Sequence, residues 1–490
     1  MANQLDVVLL TNTAQVDVQP LRKQLEGHRV VSLELGKITG AAFSEAFQKT
    51  KSEMVLVIDA SQYVISLKKS ALKLLDLVSR TEPDWAMIYS DYEIVADGEL
   101  QETHLLDHHS GRLRDDTDYG FIWAVNREKL SAVLPVDEDN QRSLLYELRL
   151  RLSEAGRLVH IANRYSGALY TVTKLADTQN VFAYLMADKE LQLERERVLS
   201  SHLKRIGAYL EPGDHYTPVP YYNKEYDLTA SVIIPVNNRP KFIGMAIESV
   251  FDQTVTDVEV IVVVNGGEND PTVPAVKAYL PGGEKYDPDK PPVTLIVHDI
   301  NNIGFCLNSG LEVAKGKFYV QLDSDDQLMP DAVEKIVKVY ADDPKIGMVI
   351  GSYEVWELKN TGELVRMDSI PVVTHGEWTE ENGRNNLLRI NGAGAPRSFY
   401  VDAAKDLGLL DMNTSPYARN YGEDYHFVLR MSERHRIGRV WDPVYKVVRH
   451  SGGTDHSIDQ QTVDRNNNAK DWMRLEALER RKLMNGVGSE

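Results

Sequence analysis

The chain has 490 residues, of which 42% are hydrophobic and 26% are charged, and its formal net charge is −18. This length exceeds what one hydrophobic core usually supports, so we expect two or three domains. The acidic balance argues against a protein that binds nucleic acid or an anionic membrane through a broad surface, because such surfaces need clustered cations. It leaves a nucleotide substrate open, since a metal ion can neutralise a diphosphate locally.

Cys306 is the only cysteine, which excludes an intrachain disulfide. The chain does not open with a signal-peptide pattern, and no apolar run approaches the roughly 20 residues of a membrane span. We therefore expect a cytoplasmic protein, with at most peripheral contact with the inner face of a membrane. The sequence is compatible with a homo-oligomer.

Four segments follow one another along the chain. Residues 1–175 alternate short apolar runs with helix-like stretches, which predicts an α/β domain. Residues 176–228 begin as a charge-laced helical pattern and end in a polar, proline-bearing loop, so we interpret them as a helical connector and linker. A second α/β pattern covers residues 229–458, and residues 459–490 predict a C-terminal helical tail.

The predicted tail carries a broad apolar face. On this face lie Trp472, Leu475, Leu478 and Met484. We expect the face to pack on its own domain, because a helix buries its apolar stripe against the nearest core. The alternative is that it serves dimerisation or contact with a membrane surface.

The two α/β segments match each other at five places, in the same order. The matching pairs are 43–62 with 307–326, 87–100 with 348–364, 121–130 with 398–407, 150–161 with 429–440, and 163–167 with 448–452. One such match is weak evidence, but five in order indicate an internal duplication.

Three carboxylates follow the apolar run FYVQL, namely Asp323, Asp325 and Asp326. In an open α/β sheet, ligands bind beyond the carboxyl ends of the strands. Asp323 and Asp325 project to the same side because side chains alternate along a strand. This pair could hold a divalent cation that bridges a diphosphate. The alternative is a helix cap or Asx turn, which Asp326 would provide.

Two further groups have the right chemistry for the same site. Glu423 and Asp424 open a helical pattern, where they could be capping residues favoured by the helix dipole or could include a general base. His450 follows a strand-like run. Alone it would be a hydrogen-bonded loop residue, but beside a carboxylate site it is a candidate metal ligand.

The duplication provides an internal control for these residues. The first half has Asp59-Ala60-Ser61-Gln62 in place of Asp323-Ser324-Asp325-Asp326, Leu144-Leu145 in place of Glu423-Asp424, and Tyr165 in place of His450. If these acidic and histidine residues were only helix caps or surface groups, their absence together from the first half would be a coincidence. A catalytic task that only the second half retains explains all three differences.

With these motifs identified, residues 229–455 resemble the family 2 glycosyltransferases of the GT-A fold. LDSDD resembles their DxD metal motif, and GED before a helix resembles their catalytic-base motif. The connector sequence HLKRIG at 202–207 is similar to the linker in two-module bacterial transferases of surface-polysaccharide assembly. The implied fold class is α/β, with two tandem GT-A-like domains of Rossmann-like mixed sheet joined by a helical connector. The first domain would be degenerate and non-catalytic.

The resemblance implies an inverting transfer of a sugar from a nucleoside diphosphate sugar, UDP- or dTDP-linked. The acceptor would be a glycan, a lipid-linked molecule or a protein, in bacterial surface-polysaccharide or glycoconjugate assembly. Mn²⁺ or Mg²⁺ would be bound by Asp323, Asp325 and His450. Asp424 would be the catalytic base, with Glu423 beside it.

The resemblance also implies a set of residues around the nucleotide sugar. They are Pro235, Asn237, Arg239, Asn265, Gly304, Asp323 and Ser324. Asn265 stands where the family usually has an acid, which leaves the nucleobase open.

Two other classes of protein remain as alternatives. One is a non-catalytic protein that binds a glycan or a nucleotide sugar as a scaffold. The other is a nucleotidyltransferase, which would normally open with a glycine-rich basic loop to grip a triphosphate. The run VIIPVNNRP has no glycine and a single arginine, which disfavours that alternative.

Overall fold

The computed structural model describes residues 4–34, 36, 38–96, 98–138, 140, 142–163, 167–174, 189–392, 394–414, 421–450 and 460–487. The described residues form two compact units, with the boundary between Ala208 and Tyr209. Across these ranges, no helix combines the length and the apolar composition that crossing a membrane requires.

The first unit contains a six-stranded mixed sheet and a four-stranded sheet. Its strands are β1 (Asp6–Thr11), β2 (Arg29–Glu34), β3 (Met54–Ala60), β4 (Tyr63–Leu67), β5 (Trp85–Ser90), β6 (Tyr92–Ala96), β7 (Glu99–Thr103), β8 (Ile122–Asn126), β9 (Arg157–Ile161) and β10 (Tyr170–Lys174). Its helices are α1 (Gln19–Gln24), α2 (Gly40–Gln48), α3 (Ala71–Thr81), α4 (Arg127–Val133), α5 (Leu144–Ala155) and α6 (Lys189–Arg205).

The second unit is built on one nine-stranded sheet. Its strands are β11 (Leu228–Val236), β12 (Val258–Val264), β13 (Val293–Val297), β14 (Gly316–Gln321), β15 (Gln327–Leu328), β16 (Ile346–Leu358), β17 (Leu364–Arg366), β18 (Arg397–Tyr400) and β19 (Arg436–Arg449). Its helices are α7 (Ile243–Phe251), α8 (Thr272–Lys277), α9 (Ile303–Val313), α10 (Ala332–Asp342), α11 (Gly383–Asn386), α12 (Val401–Asp406), α13 (Glu423–Ser432) and α14 (Gln460–Met484).

The central strands follow from their sequences. β1, β3, β11 and β12 are runs rich in Val, Ile and Leu that are buried along almost their whole length, as parallel strands covered on both faces must be. In β1, Val7 and Leu9 belong to one core cluster, whereas Val8 and Leu10 belong to another. The two clusters lie on opposite faces of the sheet, because side chains alternate along a strand.

The two units repeat the same topology. The large sheet of the first unit has the order β2-β1-β3-β8-β5-β9, and the second unit has β12-β11-β14-β18-β16-β19, with β13 added beside β12. In each, the fourth strand is antiparallel to both neighbours, while the remaining pairs are parallel. The predicted fold class, two tandem α/β domains of one fold with a mixed sheet, is therefore confirmed.

The smaller sheet of the first unit has a counterpart as well. Its order is β4-β10-β6-β7, in which only β10 and β6 are parallel. In the second unit the same arrangement is made by β15, the end of β19, the end of β16 and β17. There β16 and β19 are 13 and 14 residues long and run through both sheets, so the two sheets are continuous.

Helix α6 covers part of the helical pattern that we interpreted as a connector, and it packs within the first unit. Residues 176–188 of the predicted connector lie outside the described residues. Leu199 and Leu203 are fully buried. The carboxylate of Glu194 accepts a hydrogen bond of 2.6 Å from the backbone N–H of Ser143. The polar segment after Tyr209 instead lies along the second unit, where the backbone N–H of Val219 donates to the carbonyl of Pro344.

The tail helix α14 packs on its own unit, but through a different face from the one that we predicted. Trp472 and Met484 are exposed, and of the predicted face only Leu478 is fully buried. The buried face consists of Ala469, Asp471, Met473, Arg474, Ala477, Leu478 and Arg481. The prediction of the buried face was wrong because three of its residues, Asp471, Arg474 and Arg481, are charged. A search for apolar residues overlooks charged side chains that are buried with polar partners.

The buried charges of α14 form a defined network. Arg474 and Asp471 make an ion pair of 2.6 Å in which both side chains are fully buried. Arg474 also donates to the carbonyl of Ile390 and to the side chain of Asn391. A buried charge of this kind is tolerated only while its partners are present.

We expect Asp471→Ala to lower the free energy of unfolding of the second unit by about 3 kcal/mol, since it leaves the buried guanidinium of Arg474 without its counter-charge. Urea unfolding followed by tryptophan fluorescence measures the effect. Glu479→Ala, on the exposed side of the same helix, is the matched control and should change this free energy by less than about 0.5 kcal/mol. Equal unfolding midpoints for the two variants would contradict the assignment.

Candidate active site

The carboxyl ends of β11, β14 and β19 bring three predicted site residues together. Asp325 follows β14, Arg239 follows β11, and His450 follows β19 directly. Asp325 Oδ2 lies 3.0 Å from His450 Nε2 and 3.8 Å from Arg239 Nε. A carboxylate, an imidazole and a guanidinium from three separate strand ends thus meet at one edge of the sheet.

Two contacts fix His450 in this position. Its ring stacks on Phe242, with the ring centroids 4.1 Å apart and an angle of 27° between the planes. Two residues earlier, the backbone N–H of Val448 donates to Asp326 Oδ1 at 2.7 Å. The loop that carries Asp325 is therefore tied to the strand that carries His450.

The helix cap that we considered for Asp326 is not what the structure shows. Helix α10 begins at Ala332, and its N-cap residue is Asp331, which makes no capping hydrogen bond through its side chain. Asp326 is buried and bonded to β19 instead. The sequence interval between Asp326 and the helix is too long for a cap, because capping bonds reach only two or three residues.

Asp424 lies at the start of α13 and is held by a partly buried arginine. Arg397 Nη1, from β18, lies 2.8 Å from Asp424 Oδ2. Arg397 Nε donates to Gln321 Oε1 at 3.1 Å, and Gln321 Nε2 donates to Asp323 Oδ1 at 3.3 Å. A chain of four side chains therefore links the candidate base to the first carboxylate of the DSDD loop.

The charges in this network shift several pKa values. Burial and the charges of Asp325 and Asp424 raise the pKa of Asp323, although Arg397 opposes them. Burial alone would also raise the pKa of Asp424, but Arg397, Lys470 and the backbone N–H of Tyr425 together outweigh it and hold this pKa below its usual value. Burial, together with the negative charge of Asp424, raises the pKa of Glu423 to about 7. The two neighbouring carboxylates of α13 thus differ in protonation near neutral pH, which is the pattern that acid–base sites use.

A chain of amide side chains borders the same edge. Asn237 Nδ2 donates to Asn265 Oδ1 at 2.8 Å, and Asn265 Nδ2 donates to Asn301 Oδ1 at 3.2 Å. Pro235 precedes this chain within β11 and pairs with Val263 of β12. Asn237 and Asn301 are exposed while Asn265 is buried between them. Exposed amides offer both donors and acceptors to a ligand.

Gly304 and Ser324 occupy supporting positions. A Cβ atom at Gly304 would lie 1.9 Å from the carbonyl oxygen of Asp411, so this position of α9 requires glycine for close backbone contact. Nearby, Asn308 exchanges two hydrogen bonds with the backbone of Leu410. Ser324 is buried, and in the sequence it lies between Asp323 and Asp325.

The positions of the first unit that correspond to Arg397 and Asp424 hold apolar residues. The structure shifts the match of 121–130 with 398–407 by three residues, because the N-cap residues of α4 and α12 are Asn126 and Tyr400. Trp123 therefore corresponds to Arg397, and Leu145, the second residue of α5, corresponds to Asp424, the second residue of α13. Trp123 belongs to a hydrophobic core cluster against which Leu145 packs. The same framework thus exists without the ion pair.

The DSDD loop differs between the units too. Asp59 retains the first carboxylate of the motif, and it accepts a hydrogen bond of 2.6 Å from Ser61 Oγ. Ser61 stands where the second unit has Asp325. Tyr165, the expected counterpart of the histidine, lies outside the described residues.

Asp325 and His450 offer one oxygen and one nitrogen ligand to a cation. In the part of the chain that the structure describes, no three acidic, histidine or cysteine side chains converge on one point as a cation cage. Mg²⁺ and Mn²⁺ often bind through one or two protein ligands together with substrate phosphates, so this donor set fits a cation shared with a ligand.

Sequence reasoning missed the residues that hold the site. Arg397, Gln321 and Phe242 were not predicted, and Asp326 was assigned a different partner. An arginine within the short apolar run PRSFY was the only available signal, because a charged residue in a buried strand requires a buried partner.

Comparison with known proteins gives three findings. The model of the family "Glycosyl transferase family 2" matches residues 231–392. The chondroitin synthase of Pasteurella multocida (strain Pm70) is 33% identical over 119 residues, which are 24% of this chain and 12% of that protein. The uncharacterized glycosyltransferase YibD of Escherichia coli (strain K12) is 30% identical over 155 residues, 30% of this chain and 42% of that protein.

Among solved structures, the mannosyltransferase PcManGT from Pyrobaculum calidifontis, in complex with GDP-Man and Mn²⁺, is 16% identical with a TM-score of 0.35. The match covers 63% of this chain and 87% of that one. A TM-score this low does not define the fold or a ligand of this chain. The chain spans less than half the length of the two curated relatives above. The matched residues 231–392 run from β11 to the segment before β18 and include the DSDD loop. Residues 231–392 therefore form a domain that is similar to the glycosyl transferases of family 2.

Proposed function

We propose that the second unit transfers a sugar, with inversion, from a nucleoside diphosphate sugar to an acceptor hydroxyl in a glycan, a lipid-linked molecule or a protein. The observation that carries this proposal is the meeting of Asp325 with His450 at 3.0 Å, at the sheet edge that also bears Asp424. The donor would be UDP- or dTDP-linked, and bacterial surface-polysaccharide or glycoconjugate assembly is the proposed context.

On the donor side, Asp325 and His450 would hold Mn²⁺ or Mg²⁺, with Asp323 near the ribose and the metal. When bound, the cation neutralises charge that develops on the leaving diphosphate. Arg239, 3.8 Å from Asp325, adds a second positive charge at the same place. Asn237 and Asn265 would line the nucleotide, beside Pro235, Gly304 and Ser324.

On the acceptor side, Asp424 would remove the proton of the attacking hydroxyl. A base must be unprotonated at working pH, and Arg397 lowers the pKa of Asp424 accordingly. Arg397 also restricts the orientation of the carboxylate, because its Nη1 binds Asp424 while its Nε binds Gln321. A rigidly held base reduces the entropic part of the barrier.

We expect Asp325→Ala to abolish the stabilisation of the protein by its donor and Mn²⁺, because it removes one of two protein ligands. Thermal shift with a panel of nucleoside diphosphate sugars, each with Mn²⁺ and with EDTA, measures this effect. Wild-type protein should be stabilised by one donor only when the metal is present.

The matched control for this variant is Ser61→Ala, at the equivalent position of the first unit, which should keep the full stabilisation. A wild-type protein that responds to no donor with either metal would remove the basis of the transferase proposal. A non-catalytic binding protein would bind a donor without turning it over.

We expect Asp424→Asn to lower the transfer rate by about 10² to 10⁴-fold, since the amide has nearly the same shape but cannot accept a proton. Donor stabilisation in the thermal-shift assay should be retained, because Asp424 lies on the acceptor side. Glu128→Gln, at the exposed second position of α4 in the first unit, is the control and should transfer normally. Unchanged transfer by Asp424→Asn would rule out its role as base.

We expect kcat/KM to rise with pH through about 7, and this step to be absent in Glu423→Gln. Glu423 ionises near pH 7. Its negative charge then raises the proton affinity of the adjacent Asp424, which strengthens the base. Rate profiles between pH 5.5 and 8.5 for both proteins measure this step.

The stability of the two proteins gives an independent check on Glu423. The folded state keeps the proton of Glu423 up to about pH 7, whereas the unfolded chain loses it near the ordinary value of 4.5. Folding stability therefore falls between these two pH values, and the penalty is complete above the higher one. Glu423→Gln should show a smaller fall in this interval, and an identical fall in both proteins would contradict the assignment.

A further inference from the structure

In the second unit, a cavity lies at the end of the sheet opposite to the candidate active site. It has a volume of about 400 Å³ and is bordered by the beginnings of β11 and β14, at Leu228 and Lys317. Asp325 follows the other end of β14. Since β11 has nine residues and a strand rises about 3.3 Å per residue, roughly 25 Å separate the cavity from the candidate active site. The volume is within the range of small-molecule sites.

Aromatic rings form much of the cavity wall. The aromatic lining residues are Tyr222, Tyr226, Phe318, Tyr340 and Tyr400. Phe318 stacks on Tyr340 with ring centroids 4.2 Å apart, and Tyr400 packs against the edge of Tyr340 at 5.1 Å. These three rings are buried against one another, so the ring surface that a ligand in the cavity could contact belongs to the half-buried Tyr222 and Tyr226.

Lys317 places a positive charge among these rings. Its Nζ donates to the carbonyl of Tyr222 at 2.6 Å and lies between 5.6 and 5.8 Å from the centroids of Tyr222, Phe318 and Tyr400. Within the described residues it has no carboxylate partner, and burial lowers its pKa. A partly buried ammonium that is bonded to one carbonyl has two further N–H donors to offer, and an anion would complete its pairing.

Tyr400 supplies a second polar group. Its side chain is 1% exposed, and its hydroxyl makes no hydrogen bond to any described residue. Because this hydroxyl is not fully buried, it can bond to a ligand in the cavity. At the rim, the exposed carboxylate of Asp257 accepts a hydrogen bond of 2.5 Å from Thr229 Oγ1 and retains capacity for further donors.

We propose that this cavity binds a uronate residue of a glycan. The carboxylate would pair with Lys317, the sugar ring would lie on the aromatic wall, and its hydroxyls would reach Tyr400 and Asp257. The proposal rests on the proposed function in one respect, since it names a class of glycan that the transferase handles. A site at this distance would hold a glycan chain away from the reacting end, and not the sugar that reacts.

Calorimetric titration with a hexamer of galacturonate, without donor or metal, tests the proposal. The matched ligand is the same hexamer with its carboxylates reduced to alcohols, which we expect to bind at least tenfold more weakly. Lys317→Met, which keeps the apolar stem but removes the charge, should weaken binding of the acidic hexamer by a similar factor. Lys315→Met, an exposed lysine two residues earlier, is the control and should bind like the wild type.

Tyr400→Phe keeps the ring and removes the hydroxyl, so it tests the site even if Lys317→Met folds poorly. We expect it to bind the hexamer several-fold more weakly than the wild type. Asp325→Ala should bind the hexamer with unchanged affinity, because Asp325 lies at the other end of the sheet. Binding at the cavity can therefore be tested even if the proposed transferase reaction is wrong. The proposal is overturned if the wild type does not bind, if acidic and reduced hexamers bind equally, or if inorganic phosphate competes as well as the hexamer.

Discussion

Repulsion among carboxylates at the end of β14 is the constraint to which the rest of the second unit responds. Asp323 and Asp325 lie in one short loop, and Asp424 approaches from α13, so that their charges raise the pKa of Asp323. Two arginines offset this repulsion. Arg239 Nε lies 3.8 Å from Asp325 Oδ2, and Arg397 Nη1 lies 2.8 Å from Asp424 Oδ2. A bound divalent cation would complete the same balance, because it adds charge where the loop is open.

One carboxylate is used to stabilise the structure. Asp326 accepts a hydrogen bond from the backbone of Val448 and contacts the hydroxyl of Tyr445, both in β19. These contacts close the DSDD loop onto the strand that ends beside His450. The geometry of Asp325 and His450 therefore depends on Asp326, which in the proposed metal site would orient the ligands without contacting the cation.

The first unit shows what the fold requires without this charge. Its large sheet has the same strand order, and α4 and α5 correspond to α12 and α13, yet Trp123 and Leu145 replace the ion pair of Arg397 and Asp424. Apolar side chains pack into this framework without desolvating any charge, and such replacements are often neutral or stabilising. The ion pair of Arg397 and Asp424 is thus not required by this fold, which supports the proposed role of these two residues in the chemistry of the second unit.

Local sequence patterns were sufficient for the fold and for part of the site. Apolar runs predicted the strands, the ordered matches predicted two copies of one fold, and the carboxylates after β14 were identified because strand ends form ligand sites. The partners of these residues were not predictable. Arg397 meets Gln321 across 76 positions, and Asp326 meets Val448 across 122. The buried face of α14 was misassigned for the same reason, since Arg474 is satisfied by a carbonyl 84 positions away. The periodicity of apolar residues in a segment is a property of its local sequence, so it can be read without the fold. The free energy of burying a charge depends on partners that only the folded chain brings within hydrogen-bond distance.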